Sequence, residues 1–406
     1  MDRSLIPEGV KRCSPGTFFL FQSIWAGLIG FGMLGVALCL GLGLNQTGLN
    51  DYFGFGIWIV VDLAIIALGA GAFSMGFMAY VVGKKDLKPV INATVVLGFI
   101  CYSGAVGMLG IDVGQPLRGW FGFWHAQVHS MLTEVMFCIT TYLIVLIIEY
   151  LPLILENRKI DQIREFHLFG HNLHEIMVVF AATGAFLSFF HQGSLGGLYG
   201  VMYARPFAAR TGILIWPWTF FLFIISAVAS GPVFSMAVVW FTQKISGKLL
   251  VPRKTLELLA KYAGRVLLVY AVLKLLDTYY WATVVAPSMG MTLMDFYKPP
   301  YGISLLFVEL ACAVLPVFVF LNPKLRANDY YLIPAALMDI FGICLNRYVF
   351  TIQTSAVPVL PFDRYIGYTA TWQEWAIVIL VLGYGALVYS LSYRYLPVFP
   401  AEKELN

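Results

Sequence analysis

The chain has 406 residues, 60% hydrophobic and 12% charged, with a formal net charge of +4 and a mean hydropathy of +0.79. Soluble domains carry about 25% charged residues, so this composition excludes a soluble globular protein and points to a polytopic membrane protein. No basic block of the kind that binds nucleic acid is present.

A membrane-crossing helix needs about 20 mainly apolar residues, and the apolar runs here are continuous rather than alternating, which excludes a barrel. The first sixteen residues, MDRSLIPEGVKRCSPG, are too polar for a signal-peptide core, so the following run is read as a retained first span. Ten spans are predicted, over residues 17–43, 54–82, 89–112, 128–152, 168–192, 212–242, 256–285, 301–321, 330–352 and 374–396. The expected fold is therefore an all-α integral membrane protein: two four-helix bundles, over about 54–192 and 212–352, with one peripheral helix at each end. In the second span Gly69, Ala72 and Gly76 fall on one face and would let a neighbouring helix approach closely.

With Arg394, near the inner end of the last span, counted to the C-terminal side, Lys and Arg divide seventeen to five between alternate connections, the larger share falling with the two termini. By the positive-inside rule both termini are expected in the cytoplasm of a bacterial inner membrane. The outer connections, 193–211, 286–300 and 353–373 among them, are longer and rich in Pro, Tyr and Trp, and are expected to dock partners. Trp120, Trp124, Trp216, Trp218, Trp281, Trp372 and Trp375 are expected near the outer boundary, mostly as interfacial anchors.

The six cysteines, Cys13, Cys39, Cys101, Cys138, Cys312 and Cys344, occur singly with no CxxC, so neither an iron-sulfur cluster nor structural zinc is expected in this chain. Ionisable side chains are the informative exceptions, because in membrane spans they are costly and mark functional sites. An outer layer collects Asp62, Asp112, Arg118, His125, His129, Glu134, His191 and Gln192 from spans two to five. Such a pocket suits a quinone headgroup, which presents two oxygens and exchanges protons on reduction. The plainer reading makes Asp112 and Arg118 a helix-capping ion pair and His125 an interfacial residue. His129, Glu134 and His191 are the expected catalytic groups. A second layer, inner to middle, collects His167, His171, His174 and Glu175 on one face of span five, with Glu149, Lys274, Asp277, Glu309, Asp339 and Arg347, and reads as a proton pathway. Lys274 and Asp277 equally read as a neutralised i,i+3 pair. Histidines are missing from the inner ends of the other spans, so a two-haem arrangement is not expected, and no haem or metal is assigned.

Several segments taken together resemble a known family. IDVGQPLRGW at 111–120, HSMLTEVMFC at 129–138, SFFHQGSLGGLYG at 188–200, and NRYVF followed by TWQEW between 346 and 375 are similar to segments of the NrfD-like, polysulfide-reductase-type membrane subunits, in their ten-helix branch. Gln115 departs from the pattern, many relatives having arginine after the glycine. The resemblance implies menaquinone bound near the periplasmic face, no redox cofactor in the chain, and periplasmic partners: an iron-sulfur protein, a multihaem cytochrome c and a molybdopterin-oxidoreductase-like protein. It carries roles best onto Asp112, Arg118, His129, Glu134 and His191. The direction of electron flow stays open, since quinol oxidation and quinone reduction share one pocket. A secondary transporter and a passive membrane anchor remain the alternatives.

Overall fold

The computed structural model describes residues 2–200, 212–213, 216–358, 364–400 and 403–404; the predicted outer connections 193–211 and 353–373 lie partly outside these, as does the Trp216 side chain. Eleven long helices are named here in chain order. They are α1 (Pro15–Leu42), α2 (Ile57–Val81), α3 (Lys88–Asp112), α4 (Met131–Leu155), α5 (Arg164–Glu175), α6 (Met177–Gly200), α7 (Trp218–Ser246), α8 (Arg253–Tyr280), α9 (Ser304–Leu321), α10 (Asp329–Thr351) and α11 (Trp372–Tyr395). Among the described residues nine of these are long and apolar enough to cross a membrane. The predicted seventh span is α8, which has the length but opens RKTLELLAKYAGR and is too charged in that half.

Helix ends follow local chemistry. Ser14 caps α1 by accepting the Thr17 N–H, with Pro15 in the first turn; Asn328 caps α10 through the Tyr330 N–H; Thr371 and Glu374 form a capping box on α11. Packing then closes two rings of four: α2, α3, α4 and α6 form one bundle, and α7, α8, α9 and α10 the other. The bundles meet where α6 lies on α7 and where α2 lies on α7 and α10. The two helices at the ends of the chain fall outside both rings, as expected, but they pair with each other, α11 packing on α3 and α1 on α11.

Small residues make the closest contacts. Gly71 of α2 crosses Gly231 of α7 so tightly that a Cβ on either would run into the other's backbone. Of the predicted small-residue face, Gly69 lies against Cys101 and Tyr102 and Gly76 against Ala181, while the Ala72 side chain lies outside the described residues.

The main departure from expectation is the fifth span. It runs from Met177 to Gly200, while Arg164–Glu175 is a separate amphipathic helix with His167, His171, His174 and Glu175 exposed. Those four therefore lie in α5, outside the span predicted to hold them, because their polarity keeps that turn of chain in water. At the other end, glycine lowers helix propensity, yet the GSLGGLYG segment stays helical: Gly193 faces the Phe220 ring and Gly196 the Thr219 carbonyl, and α7 could not approach a larger side chain.

Both termini meet at one end of the bundles. Arg394 donates to Asp2 at 2.8 Å, Asn157 donates to the Leu5 and Tyr395 carbonyls, and Lys248 donates to the Lys11 carbonyl. Lys248–Leu249 also pairs antiparallel with Lys403–Glu404. This is called the terminal end below, and the opposite one the far end.

Candidate functional site

The far-end half of the first bundle holds an unusual concentration of buried polar groups. With a rise of 1.5 Å per residue, they lie roughly 8 to 18 Å inside the far ends of their helices. Asp62 comes from α2, Tyr102 from α3, Tyr142 from α4, and Ser188, His191 and Gln192 from α6, all buried. The Tyr102 and Ser188 hydroxyls are 3.0 Å apart, and the Tyr102 ring meets Tyr142 edge-on at 4.4 Å and His191 at 5.9 Å between centroids. The rest are unsatisfied: Asp62 Oδ1, the Tyr142 hydroxyl, both His191 ring nitrogens and both Gln192 amide atoms lack a hydrogen-bond partner. His191 approaches the Val135 backbone and Gln192 the Tyr102 hydroxyl, without hydrogen-bonding geometry.

Asp112 stands at the end of α3 and accepts a hydrogen bond of 2.6 Å from Trp58 Nε1 on α2. Trp58 and Asp62, four residues apart, share a helix face, so one stripe of α2 serves both carboxylates. The expected capping pair is thus displaced: Asp112 faces Trp58, and Arg118 is exposed on the α3–α4 connection. That connection also exposes His125 and His129, with Leu117, Trp120, Trp124 and Val128. Glu134 is half-buried in the first turn of α4. Of the predicted outer layer, Asp62, His191 and Gln192 come together in the interior, while Arg118, His125 and His129 remain on the surface. Sequence reasoning passed over Trp58, Tyr102, Tyr142 and Ser188; the Trp58–Asp62 spacing was the one available signal.

The predicted inner layer separates into two places. At the terminal end of the first bundle, a cavity of about 30 Å³ is lined by Tyr80, Asn92, Glu149, Glu156 and His174 among others. His174 Nε2 is 2.6 Å from Glu156 at its mouth, and Glu149 lies two turns deeper on α4. The remaining histidines of α5 are surface pairs, His167 with Asp161 at 2.8 Å and His171 with Glu175 at 3.8 Å.

The other place is the far half of the second bundle, nearer the far end than expected. Lys274 of α8 and Glu309 of α9 form a buried ion pair of 2.8 Å, so Lys274 reaches across to another helix as well as sharing α8 with buried Asp277. Asn346 donates to Glu309 at 2.7 Å, Arg347 donates to Asn346 and Ser226, and its guanidinium lies 3.6 Å from the centre of the Phe223 ring. Asp339, nearer the middle, accepts from Ser230 at 3.3 Å. A cavity of about 20 Å³, the size of one water molecule, adjoins this network. Trp281, expected at the boundary, is instead buried with its ring 4.7 Å from Phe296.

With this geometry in view the sequence comparisons are specific. Residues 45–358 match the family described as polysulphide reductase, NrfD. The chain belongs to the NrfD family. It is 50% identical over 409 residues to the integral membrane subunit of menaquinone reductase from Nitratidesulfovibrio vulgaris, covering 100% of this chain and 98% of that one. Similarity at 24% identity extends over 90% of this NrfD protein, and 88% of the other chain, to the probable Ni/Fe-hydrogenase 2 b-type cytochrome subunit of Escherichia coli. At 22% identity it extends over 92% of this chain, and 93% of the other, to a selenate reductase subunit of Mesobacillus selenatarsenatis.

Proposed function

We propose that this chain is the quinone-binding membrane subunit of a respiratory oxidoreductase complex, with menaquinone reduced at the buried polar cluster of the first bundle. One observation carries the reading: Asp62, Tyr142, His191 and Gln192 converge from three helices with side-chain polar atoms left without partners. An unsatisfied buried group costs about 1–3 kcal/mol, and a flat ligand with an oxygen at either end would satisfy several at once. The 50% identical relative, a menaquinone reductase subunit, supports the same chemistry.

When bound, menaquinone supplies the acceptor for two electrons and two protons. This chain's residues orient it and handle the protons. A ring N–H of His191, the Tyr142 hydroxyl and the Gln192 amide would donate to quinone oxygens. Asp62 donates when protonated and accepts when not. Asp112, held by Trp58, fixes the outer side of the pocket; Arg118, His125, His129 and Glu134 form its rim. Electrons come from a partner at the far end, and an iron-sulfur protein, a multihaem cytochrome c and a molybdopterin-oxidoreductase-like protein are the proposed partners. The exposed apolar side chains of the α3–α4 connection, Leu117, Trp120, Trp124 and Val128, support docking there, with the far end periplasmic and both termini cytoplasmic.

Protons are proposed to arrive from the terminal end. Tyr142, Glu149 and Glu156 recur every seven residues along α4, about 10.5 Å apart, leading from the His174–Glu156 mouth to the buried cluster. His171 and Glu175 stand on the surface near that mouth. Lys274, Asp277, Glu309, Asp339 and Arg347 would serve a second path; their mutual pairing supports a structural role for most of them. Carrying each proton against the membrane potential costs about 2.3 kcal/mol per 100 mV. No haem is assigned, since His191 alone of the six histidines is buried.

The test is turnover of the purified complex with a soluble menaquinone analogue. Asp62→Asn and His191→Leu are each expected to lower kcat by about 100-fold or more, in the range of general acid-base contributions, and His129→Ala by less than about tenfold. Wild-type rates in both interior variants would sink this reading, and a Soret band from the isolated subunit would put haem in its place.

A further inference from the structure

The TWQEW segment carries a carboxylate that the site described above does not use. Glu374, in the first turn of α11, is fully buried. Its Oε2 accepts the Gly48 N–H at 2.8 Å and the Thr371 N–H at 2.9 Å, and its Oε1 accepts the Tyr368 hydroxyl. Tyr368 is itself half-buried, with its ring 5.4 Å from Phe53 and its backbone N–H donating to the Tyr301 hydroxyl at 3.0 Å. The Tyr368 hydroxyl oxygen accepts the N–H of Ile57 at 2.9 Å. Ile57 opens α2, where the first N–H groups have no partner within the helix and where a nearby negative charge is favourable. Gly56 completes the junction, because a Cβ there would overlap the Glu374 carboxylate. The residue after Ile57 is Trp58, which holds Asp112, and one turn further is Asp62. Glu374 is also near enough to act electrostatically on Asp112.

We propose that Glu374 and Tyr368 are positioning residues for the quinone site. They tie the start of α2 to the start of α11, and so fix the height and rotation at which α2 presents Trp58 and Asp62. The inference rests on the function proposed above. Two independent contacts suit this role: one oxygen of Glu374 gathers the Gly48 loop and the α11 cap, and the other acts through Tyr368 on α2. Burial and the adjacent carboxylate push the Tyr368 hydroxyl above its ordinary pKa, so it keeps its proton and remains the donor to Glu374.

The experiment measures menadione reduction by the assembled complex carrying Tyr368→Phe, Glu374→Gln or both, across pH, with thermal melting alongside. Misplacing α2, and Asp62 with it, is expected to raise KM for menadione about tenfold and to lower kcat by less than about tenfold, with the pH profile unmoved. The double variant is expected to be no worse than Glu374→Gln, since the two act as one unit. A lower melting temperature with unchanged KM in Tyr368→Phe would make the pair merely structural and overturn the inference. A fall in kcat with a shifted pH profile at constant KM would also overturn it, by making Glu374 a proton carrier. Asp62→Asn, run in parallel, separates the two ideas: if it too leaves turnover intact, the site itself is wrong, whereas if only it abolishes turnover, the positioning role alone fails.

Discussion

Lys274 and Glu309 sit 2.8 Å apart with almost no exposure, where removing one charge strands the other. Breaking such a pair by one substitution costs about 3–5 kcal/mol, whereas replacing both partners with apolar groups of similar size is often neutral. Lys274→Met is therefore expected to destabilise the protein by about that amount, and Lys274→Met with Glu309→Met to recover most of the loss. A double-mutant cycle on unfolding in detergent would measure it; a loss in the double variant equal to the sum of the two single losses would show that the pair contributes no coupling. The same reasoning separates the two buried clusters. In the second bundle Lys274, Glu309, Asn346, Arg347 and Ser226 bond to one another and leave over only Glu309 Oε2 and Arg347 Nε among their side-chain atoms, whereas in the first the Tyr142 hydroxyl, both His191 nitrogens, both Gln192 amide atoms and Asp62 Oδ1 have no partner, which is why the quinone site is proposed there.

Helix α2 is defined as much by what it lacks as by what it carries. Because Gly71 and Gly231 meet backbone to backbone, Gly231→Ala is expected to force the bundles apart and lower the melting temperature. Gly107→Ala, where an added Cβ meets nothing within 4 Å, is expected to be neutral or stabilising by about 0.5–1 kcal/mol. Equal melting temperatures for the two variants would mean that the crossing is looser than described. Helix α5 illustrates the opposite case, an element held at the surface. It leaves Phe166 and Phe169 exposed on its apolar side while its histidines pair with Asp161, Glu156 and Glu175; exposed pairs of this kind contribute about 0–1 kcal/mol, so the neighbouring spans fix its position more than the ion pairs do.

Across the whole molecule the two termini act as one latch. Hydrogen bonds from Arg394 and then Tyr395 hold the Asp2 carboxyl below its usual pKa. Its stabilising effect is therefore complete above the unfolded value of about 3.9 and is lost as pH falls through the lower folded value. Protease access to the first fourteen residues is expected to rise as pH drops below about 4, and Asp2→Asn to show that access at neutral pH. Unchanged protection in Asp2→Asn would remove this carboxylate from the latch. Cys13 reports on orientation: it is exposed beside the latch, whereas Cys39, Cys101 and Cys312 are buried. A membrane-impermeant maleimide is expected to label Cys13 in inverted vesicles and not in intact cells, and the reverse pattern would invert the proposed topology.

Composition and the length of the apolar runs determined by themselves that this is a helical membrane protein, and nearly every span, because lipid leaves the backbone no partner but its own helix. The segments at 111–120, 188–200 and 346–375 sufficed to identify the NrfD family. Asp62, His191 and Gln192 were legible as site candidates because a polar side chain in an apolar run is conspicuous. Only the tertiary structure decided which of them meet. It placed His129 on the surface and His191 inside, brought in Tyr102 and Tyr142, which look ordinary in an aromatic-rich sequence, and linked Glu374 to a helix 317 positions earlier through the Ile57–Tyr368 contact. It also moved the fifth span by about two turns, since whether a glycine run ends a helix or admits a neighbouring one depends on the neighbour. Sequence spacing fixes the face on which a residue lies; only packing fixes what that face meets.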